Sequence, residues 1–285
     1  MATGQPKVLQ VLCGSDQTAR QLMAASDAVT ISGSLKAGRA AQEICAARHI
    51  PLQAELGGNN ASIVWGDVEL TAAAASITEG AFAFAGQRCT ANRRAIVDSS
   101  IYDVFLDQLV MASRRLILGD PADEKTQIGP LISSASRNRV KAVIDRARAA
   151  AFRVITPSGK LDGARGDAWL EPTIVCCDDP SAEIVQEETF GPVLVVQQAG
   201  DWDQAISLCN GVKQGLAAAI FAASPKRIED FLRRVRAGIL KINSSTANAA
   251  VDLPFGGWKA SGIGPAEHGP ANREFFTRMQ SIYLA

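Results

Sequence analysis

Short runs of β-branched and apolar residues alternate along the chain with longer stretches whose apolar positions recur every three to four residues, the pattern of strands alternating with amphipathic helices. Residues 8–12 read as a strand ended by Gly14, 16–25 as a helix, and 28–32 as a second strand ending in Gly33. An Ala-rich helix follows over 36–48, then Pro51, a strand over 52–56 and a break at Gly57-Gly58. Residues 61–65 predict another strand. Asp67 is placed to cap a helix running from about 69 to 85 and stopping at Gly86, because its carboxylate can accept the first free amide hydrogens. Residues 93–97 predict a strand, 102–116 an amphipathic helix, Gly119-Asp120-Pro121 a turn and 136–149 a further helix. Buried strands are expected over 193–197, 217–222 and 239–243, with helices over 202–209 and 225–235 between them, and 274–285 ends in an extended-looking run.

This rhythm argues for an α/β protein, and no internal repeat or charge block interrupts it. Hydrophobic residues make up 47% of the 285 and charged residues 20%, which suits a soluble globular chain with one large or two smaller domains. Lys and Arg number 29 and so do Asp and Glu, so the balanced charge offers no footprint for nucleic acid or an anionic membrane. The most apolar stretch, 70–85, is too short and too polar to span a bilayer. Residues 1–8 lack the basic and apolar regions of an export signal, which makes the cytoplasm the expected compartment. Six cysteines without CxxC spacing and only two histidines, His49 and His268, give no expectation of a metal site or a disulfide framework.

Four stretches carry candidate chemistry, each with an ordinary alternative. Gly33-Ser34-Leu35-Lys36-Ala37-Gly38 lies at a strand end and a helix mouth, where free amides and the helix dipole favour a phosphate; it is also what a plain strand-to-helix turn looks like. Glu55-Leu56-Gly57-Gly58 puts a carboxylate beside open space, as a base or as a solvated loop residue. Phe82 to Cys89 places a thiol on a bend whose amides can stabilise a thiolate and an oxyanion, although lone cysteines are commonly inert core residues. Glu187-Glu188-Thr189-Phe190-Gly191-Pro192 runs two acids into an aromatic and a rigid turn, or forms an exposed acidic loop.

Taken together, the order and content of these motifs resemble the aldehyde dehydrogenase superfamily. Glu55 to Gly58 is similar to its glutamate motif, and Phe82 through Cys89 fits its signature F-x-x-x-G-Q-x-C. Gly119-Asp120-Pro121 with Gly129-Pro130-Leu131, Glu188 to Pro192, and Pro254 to Gly262 extend the match over essentially the whole chain. The resemblance implies an aldehyde dehydrogenase-like fold, with part of a Rossmann-type dinucleotide-binding domain over 1–56, an α/β catalytic domain over 57–265, and a tail over 266–285 that joins an intersubunit sheet. It implies Cys89 as nucleophile, through a thiohemiacetal and a thioester, and Glu55 as the base that activates the hydrolytic water. Gly33, Ser34 and Gly38 would serve the pyrophosphate of NAD or NADP, with Leu56, Gly57, Glu188 and Phe190 at the nicotinamide end and Phe255 in the substrate passage. The implied partner is a small aldehyde, and the full-length form is expected to be a homo-oligomer.

A full-length member carries roughly 200 more residues before this point, a deficit large against ordinary domain sizes. They include an oxyanion-hole asparagine, so the chain as given is expected to be a weak or inactive form. A coenzyme A-acylating enzyme and a non-catalytic remnant or interaction subunit are the alternatives. A working Cys89 is expected to have a depressed pKa and to react with iodoacetamide at mildly acidic pH before the other thiols. Gly264-Pro265-Ala266-Glu267-His268-Gly269 departs from the family's usual Arg-Glu pair. With Phe276-Thr277 it resembles members acting on semialdehydes of dicarboxylic acids, as does 55–60. His268 reads either as a ligand for a substrate carboxylate or as a packing residue.

Overall fold

The computed structural model describes residues 8–157 and 166–285; residues 1–7, part of the stretch read for an export signal, lie outside it. Helix α1 (Asp16–Ala25), strand β1 (Val29–Ser32), α2 (Leu35–Arg48) and β2 (Leu52–Glu55) open the chain. Then come β3 (Asn60–Val64), α3 (Leu70–Phe82), β4 (Asn92–Asp98), α4 (Tyr102–Arg114) and α5 (Ser134–Ala149). They are followed by β5 (Arg153–Ile155), β6 (Thr173–Cys176), α6 (Glu183–Gln186), β7 (Val193–Ala199), α7 (Trp202–Asn210), β8 (Gln214–Gly215), β9 (Ala217–Phe221), α8 (Pro225–Arg234) and β10 (Ile239–Ile242). β11 (Trp258–Lys259), β12 (Gly262–Ile263) and α9 (Gly269–Phe275) complete the order.

The main sheet runs β10-β9-β3-β4-β7-β6-β5, parallel throughout except for the β5–β6 pair. β3 and β9 are buried at every position, as strands covered on both faces must be. Alternate residues feed two separate cores. Val64, Ala95 and Val97 join Ile77, Phe82, Phe105 and Leu109 under α3 and α4. Ile63 and Ile96 join Ala205, Ile206 and Phe231 under α7 and α8.

A smaller sheet, β1-β2-β12, pairs β1 with β2 in parallel and sets β12 antiparallel to β2, with Gly262 opposite Glu55. This late return brings the segment around Gly257 onto the end of β2. It is tertiary information that no local pattern carries.

Several expectations are corrected. Residues 8–12 form no strand and are exposed; β1 is the edge of its sheet among the described residues, and its free edge does not recruit them. Glu69, not Asp67, caps α3: its carboxylate accepts from Thr71 N (2.9 Å) and Ala72 N (2.6 Å), while Asp67 accepts from Ser224 N (2.8 Å) across the fold. The helix expected to reach Ala85 ends at Phe82, where a tight turn with Phe84 and Ala85 in left-handed backbone (φ 55° and 52°) takes over. The terminal run is not extended from its start, since α9 holds residues up to Phe275 and no regular element follows. β5 and β6 went unforeseen, although Thr173–Cys176 is as apolar and β-branched as the four-residue strands that were read. No helix among the described residues is long and apolar enough to cross a membrane.

Candidate active site

Cys89 follows the left-handed turn and precedes β4. The main-chain oxygens around it are tied back to the protein. Arg93 Nη2 donates to Arg88 O (3.0 Å), Asn60 Nδ2 to Cys89 O (2.7 Å) and Ala91 O (2.9 Å), and Thr246 Oγ1 to Thr90 O (2.7 Å). A planar trans peptide sets its N–H opposite its C=O, so holding Arg88 O and Cys89 O in this way turns the amides of Cys89 and Thr90 the other way. Both amides favour the ionised thiol. Asn60 is anchored in turn by accepting from Ala217 N (2.9 Å).

Sequence reading gave Asn60 no role of its own, because the second residue of an Asn59-Asn60 pair after two glycines reads as a turn. Asn60→Ala is expected to lower stability by about 2–4 kcal/mol in denaturant unfolding, since it strips partners from the main-chain groups of Cys89, Ala91 and Ala217. An unchanged unfolding midpoint and slope would refute this account of the turn.

β2 delivers Glu55 to the same place, and Gly57-Gly58 carry the chain on past the cysteine turn. A Cβ at Gly58 would lie 2.5 Å from the main-chain Cys89 O, so that position requires glycine, and one at Gly57 would lie 2.0 Å from Glu188 Oε2 and displace that carboxylate. Gly58 N donates to Glu188 Oε1 (3.2 Å) and Gly257 N to Glu55 Oε2 (3.2 Å).

Charge shows which groups feel one another. Burial, and then the negative charge of Glu267, push the Glu55 carboxyl up to about 8 against the opposing Gly257 amide. Burial first, then Glu188 and more weakly Glu55, push the Cys89 thiol upward despite the two amides. The expected depressed thiol pKa is therefore corrected, because desolvation and two carboxylates outweigh two hydrogen bonds. Glu188 is itself raised by burial and restrained by Arg93, the Gly58 amide and Arg139. Three distant stretches of chain thus converge on one small volume.

Arg93 was also missed, although two adjacent arginines inside a buried strand were a usable signal. Its guanidinium donates to Gly191 O (3.0 Å) and Arg88 O (3.0 Å), stands 4.0 Å from Glu188 Oε1 and lies 5.5 Å from the Phe190 ring centroid. Burial lowers its pKa to about 10, so it stays cationic at neutral pH. It ties the Glu188-to-Gly191 segment to the cysteine turn. Glu267, the third missed residue, exchanges two main-chain hydrogen bonds with Phe255 (2.7 and 2.6 Å).

The chain matches the family model described as "Aldehyde dehydrogenase family" over residues 2–282. It belongs to the aldehyde dehydrogenase family. It is 31% identical over 282 residues to the α-ketoglutaric semialdehyde dehydrogenase of Bacillus subtilis, covering 97% of this chain and 58% of that protein. An NAD-dependent aldehyde dehydrogenase structure from Sinorhizobium meliloti superposes with a TM-score of 0.87 at 31% identity, over 93% of this chain and 53% of that one. A betaine aldehyde dehydrogenase point mutant from Staphylococcus aureus, solved in complex with NAD+, gives 0.85 at 30% identity over 90% and 52%. The chain thus spans little more than half the length of these relatives.

The residues expected at the two ends of a dinucleotide lie as follows. Gly33 and Ser34 are exposed at the start of α2, where the first-turn amides of a 14-residue helix have no helical acceptor. Ser34 Oγ accepts from Ala37 N (3.2 Å) as the helix cap. At the other end the Glu188 side chain keeps one-fifth of its surface exposed beside the glycine pair. Phe190 also borders a cleft of about 820 Å³ with Phe84, Gln87 and Ile132. Gly38 and Leu56 are buried on each other; a Cβ at Gly38 would lie 2.6 Å from Leu56 Cδ2. Phe255 is half-buried, with its ring 5.6 Å from that of His268, whose Nδ1 has no partner. Among the described residues no group of three or more His, Cys, Asp or Glu is arranged to hold a metal.

Proposed function

We propose that this chain carries the catalytic centre of an NAD(P)+-dependent aldehyde dehydrogenase that oxidises an aldehyde to a carboxylic acid. The observation that supports this reading is the convergence of Cys89, Glu55 and Glu188 on the Gly57-Gly58 strap, with the turn amides directed at the sulfur.

At rest the thiol holds its proton. Glu55, with a carboxyl near 8, is the base matched to take that proton, directly or through a water, at slightly alkaline pH. The transfer leaves one negative charge in the site rather than two. Cys89 Sγ then bonds to the aldehyde carbon, and the oxygen that gains the charge is met by the Cys89 and Thr90 amides. NAD(P)+ would supply a hydride acceptor; the α2 amides near Gly33 and Ser34 would hold its pyrophosphate, and Glu188 its nicotinamide ribose. Loss of hydride from the alkoxide carbon leaves a thioester on Cys89. Glu55, once the proton taken from the thiol has passed to solvent, removes a proton from water; the new oxygen–carbon bond forms, the carbon–sulfur bond breaks with its electron pair returning to sulfur, and the acid leaves. Phe255 lines the passage by which the aldehyde enters.

The test incubates the purified chain with a short aldehyde panel and NAD+ or NADP+, following the reduced cofactor and the mass of the Cys89 peptide. Reduced cofactor together with an acylated Cys89 peptide is the expected result. Because the chain as given is expected to turn over weakly, single-turnover acylation is the deciding signal, and a Cys89 peptide left unmodified by every aldehyde would overturn the reading.

A further inference from the structure

Gln197 lies in β7, an inner strand of the main sheet, with an amide that nothing in the protein answers. It stands opposite Ile96 in the ladder between β4 and β7, so its side chain leaves the sheet on the face covered by α7 and α8. The residue is completely buried, and neither its Nε2 nor its Oε1 has a hydrogen-bond partner among the described residues. Buried hydroxyls on helices, such as Thr78 and Ser113, can turn to a carbonyl of their own helix; an amide on a strand has no such recourse. Both ends of the Gln197 amide have given up water without a return, which marks a place where a partner comes from outside the chain.

A crevice of about 250 Å³ opens above this amide. Leu208 of α7 and Val185 of α6 form its apolar walls, while Gln204 and Ser207 stand exposed at its mouth. Gln186 Nε2 donates to Pro180 O (2.6 Å) and Gly211 O (2.9 Å), which ties the loop before α6 to the end of α7. The walls are also fixed from behind, since Asn59 Nδ2 donates to Val185 O (2.7 Å) and Arg94 Nη1 to Leu208 O (2.7 Å). The crevice is therefore preformed, with apolar sides and a polar floor, the build of a small-molecule site.

The lining narrows the chemistry of the occupant. No charged side chain lines the crevice, so a carboxylate or an ammonium would leave water for a site with no counter-charge. The floor asks for a neutral group that offers an acceptor to Nε2 and a donor to Oε1 from adjacent atoms. A primary carboxamide does so in two parallel hydrogen bonds, whereas a ketone supplies the acceptor alone. An apolar cavity of roughly 150 Å³ holds benzene, so about 250 Å³ has room for a ring that carries such a group.

We propose that this crevice is a binding site for a small neutral molecule bearing a primary carboxamide, with Gln197 as its anchor. It lies behind the candidate active site and not in it. Val185 is held by Asn59, the residue after the glycine strap, and α6 runs on to Glu188, so an occupant braces both without meeting Cys89.

Benzamide is the probe, added to the purified chain and followed through the glutamine side-chain amide signals in ¹H–¹⁵N spectra. The Gln197 pair is assigned by its loss in Gln197→Leu. Saturable shifts of that pair are expected, with a Kd on the order of 1 mM, ordinary for a fragment of this size. Acetophenone has the size of benzamide with a methyl in place of the NH₂, and benzoate is its anionic counterpart. Each should bind at least about tenfold more weakly, the loss of one hydrogen bond to a buried partner. Gln197→Leu keeps the volume and removes the unpaired groups, so its Tm should be unchanged or higher, while its Gln186 and Gln204 signals no longer respond to benzamide. Benzamide shifting none of the crevice signals would leave the site to water only and overturn the proposal. Shifts confined to the surroundings of Cys89, equal binding of acetophenone, or undiminished benzamide binding in Gln197→Leu would each overturn it as well. The comparison of benzamide with acetophenone uses the unmutated chain and so decides the matter even if the variant folds poorly.

Discussion

On the proposed mechanism, Cys89→Ala is expected to abolish acylation and to lower turnover by on the order of 10⁴-fold or more, because no other group in the site is placed to form the bond to the aldehyde carbon. Glu55 and Glu188 are acidic groups held near glycine amides, and Arg93 is engaged with two carbonyl oxygens. The remaining cysteines offer no substitute. Cys45, Cys177 and Cys209 are buried, Cys176 shares a hydrogen bond with Tyr102, and the exposed Cys13 lies near the start of the chain, away from the turn. The measurement is twofold: reduced cofactor formed per unit time, and the mass of the Cys89 peptide after incubation with aldehyde and NAD(P)+. Full turnover in Cys89→Ala would show that the nucleophile is misassigned.

Glu55→Gln should separate the two halves of the reaction and also reveal the cost of burying the carboxyl. Glutamine keeps the size and a hydrogen-bond acceptor for Gly257 N but cannot take a proton, so thioester hydrolysis slows by about 10²- to 10⁴-fold and the acyl group accumulates on Cys89. In the unmutated protein, hydrolysis should rise with pH through about 8, as the carboxyl ionises, and this rise should vanish in the variant.

Stability moves in the opposite direction. The folded carboxyl titrates near 8 and the unfolded one near 4.5, so between those values the folded state holds a proton that the unfolded state has lost. Stability therefore falls as pH rises across this window, whereas Glu55→Gln contributes no such slope. The Tm of Glu55→Gln minus that of the unmutated chain should widen steadily from about pH 5 to about pH 8 and level off above it. A difference that stays constant over the range would mean that the carboxyl is not held neutral by its surroundings.

Much of the fold was legible because the strongest signals are local. The Ala-rich α2, the amphipathic α4 and α5, and the continuous apolar runs of β7 and β9 fall within a residue or two of where periodicity puts them. Errors cluster where a local rule met a distant partner. Asp67 looks like a helix cap but answers Ser224, and residues 8–12 have strand composition but pair with no strand. The turn at Phe84 and Ala85 is the opposite case: nothing about two non-glycine residues announces left-handed backbone.

By itself the sequence determined the family and the α/β character, and it singled out the candidate thiol, carboxylates and glycine strap, because these are written in contiguous motifs. Only the tertiary structure decided what the groups do to one another. β12 returning to β2 brings Gly257 to Glu55, Asn60 and Arg93 turn the peptide planes around Cys89, and burial beside two carboxylates raises a thiol that the motif alone suggested would be depressed. The physical reason is that desolvation and Coulomb interaction depend on distance through space, which a spacing along the chain does not encode.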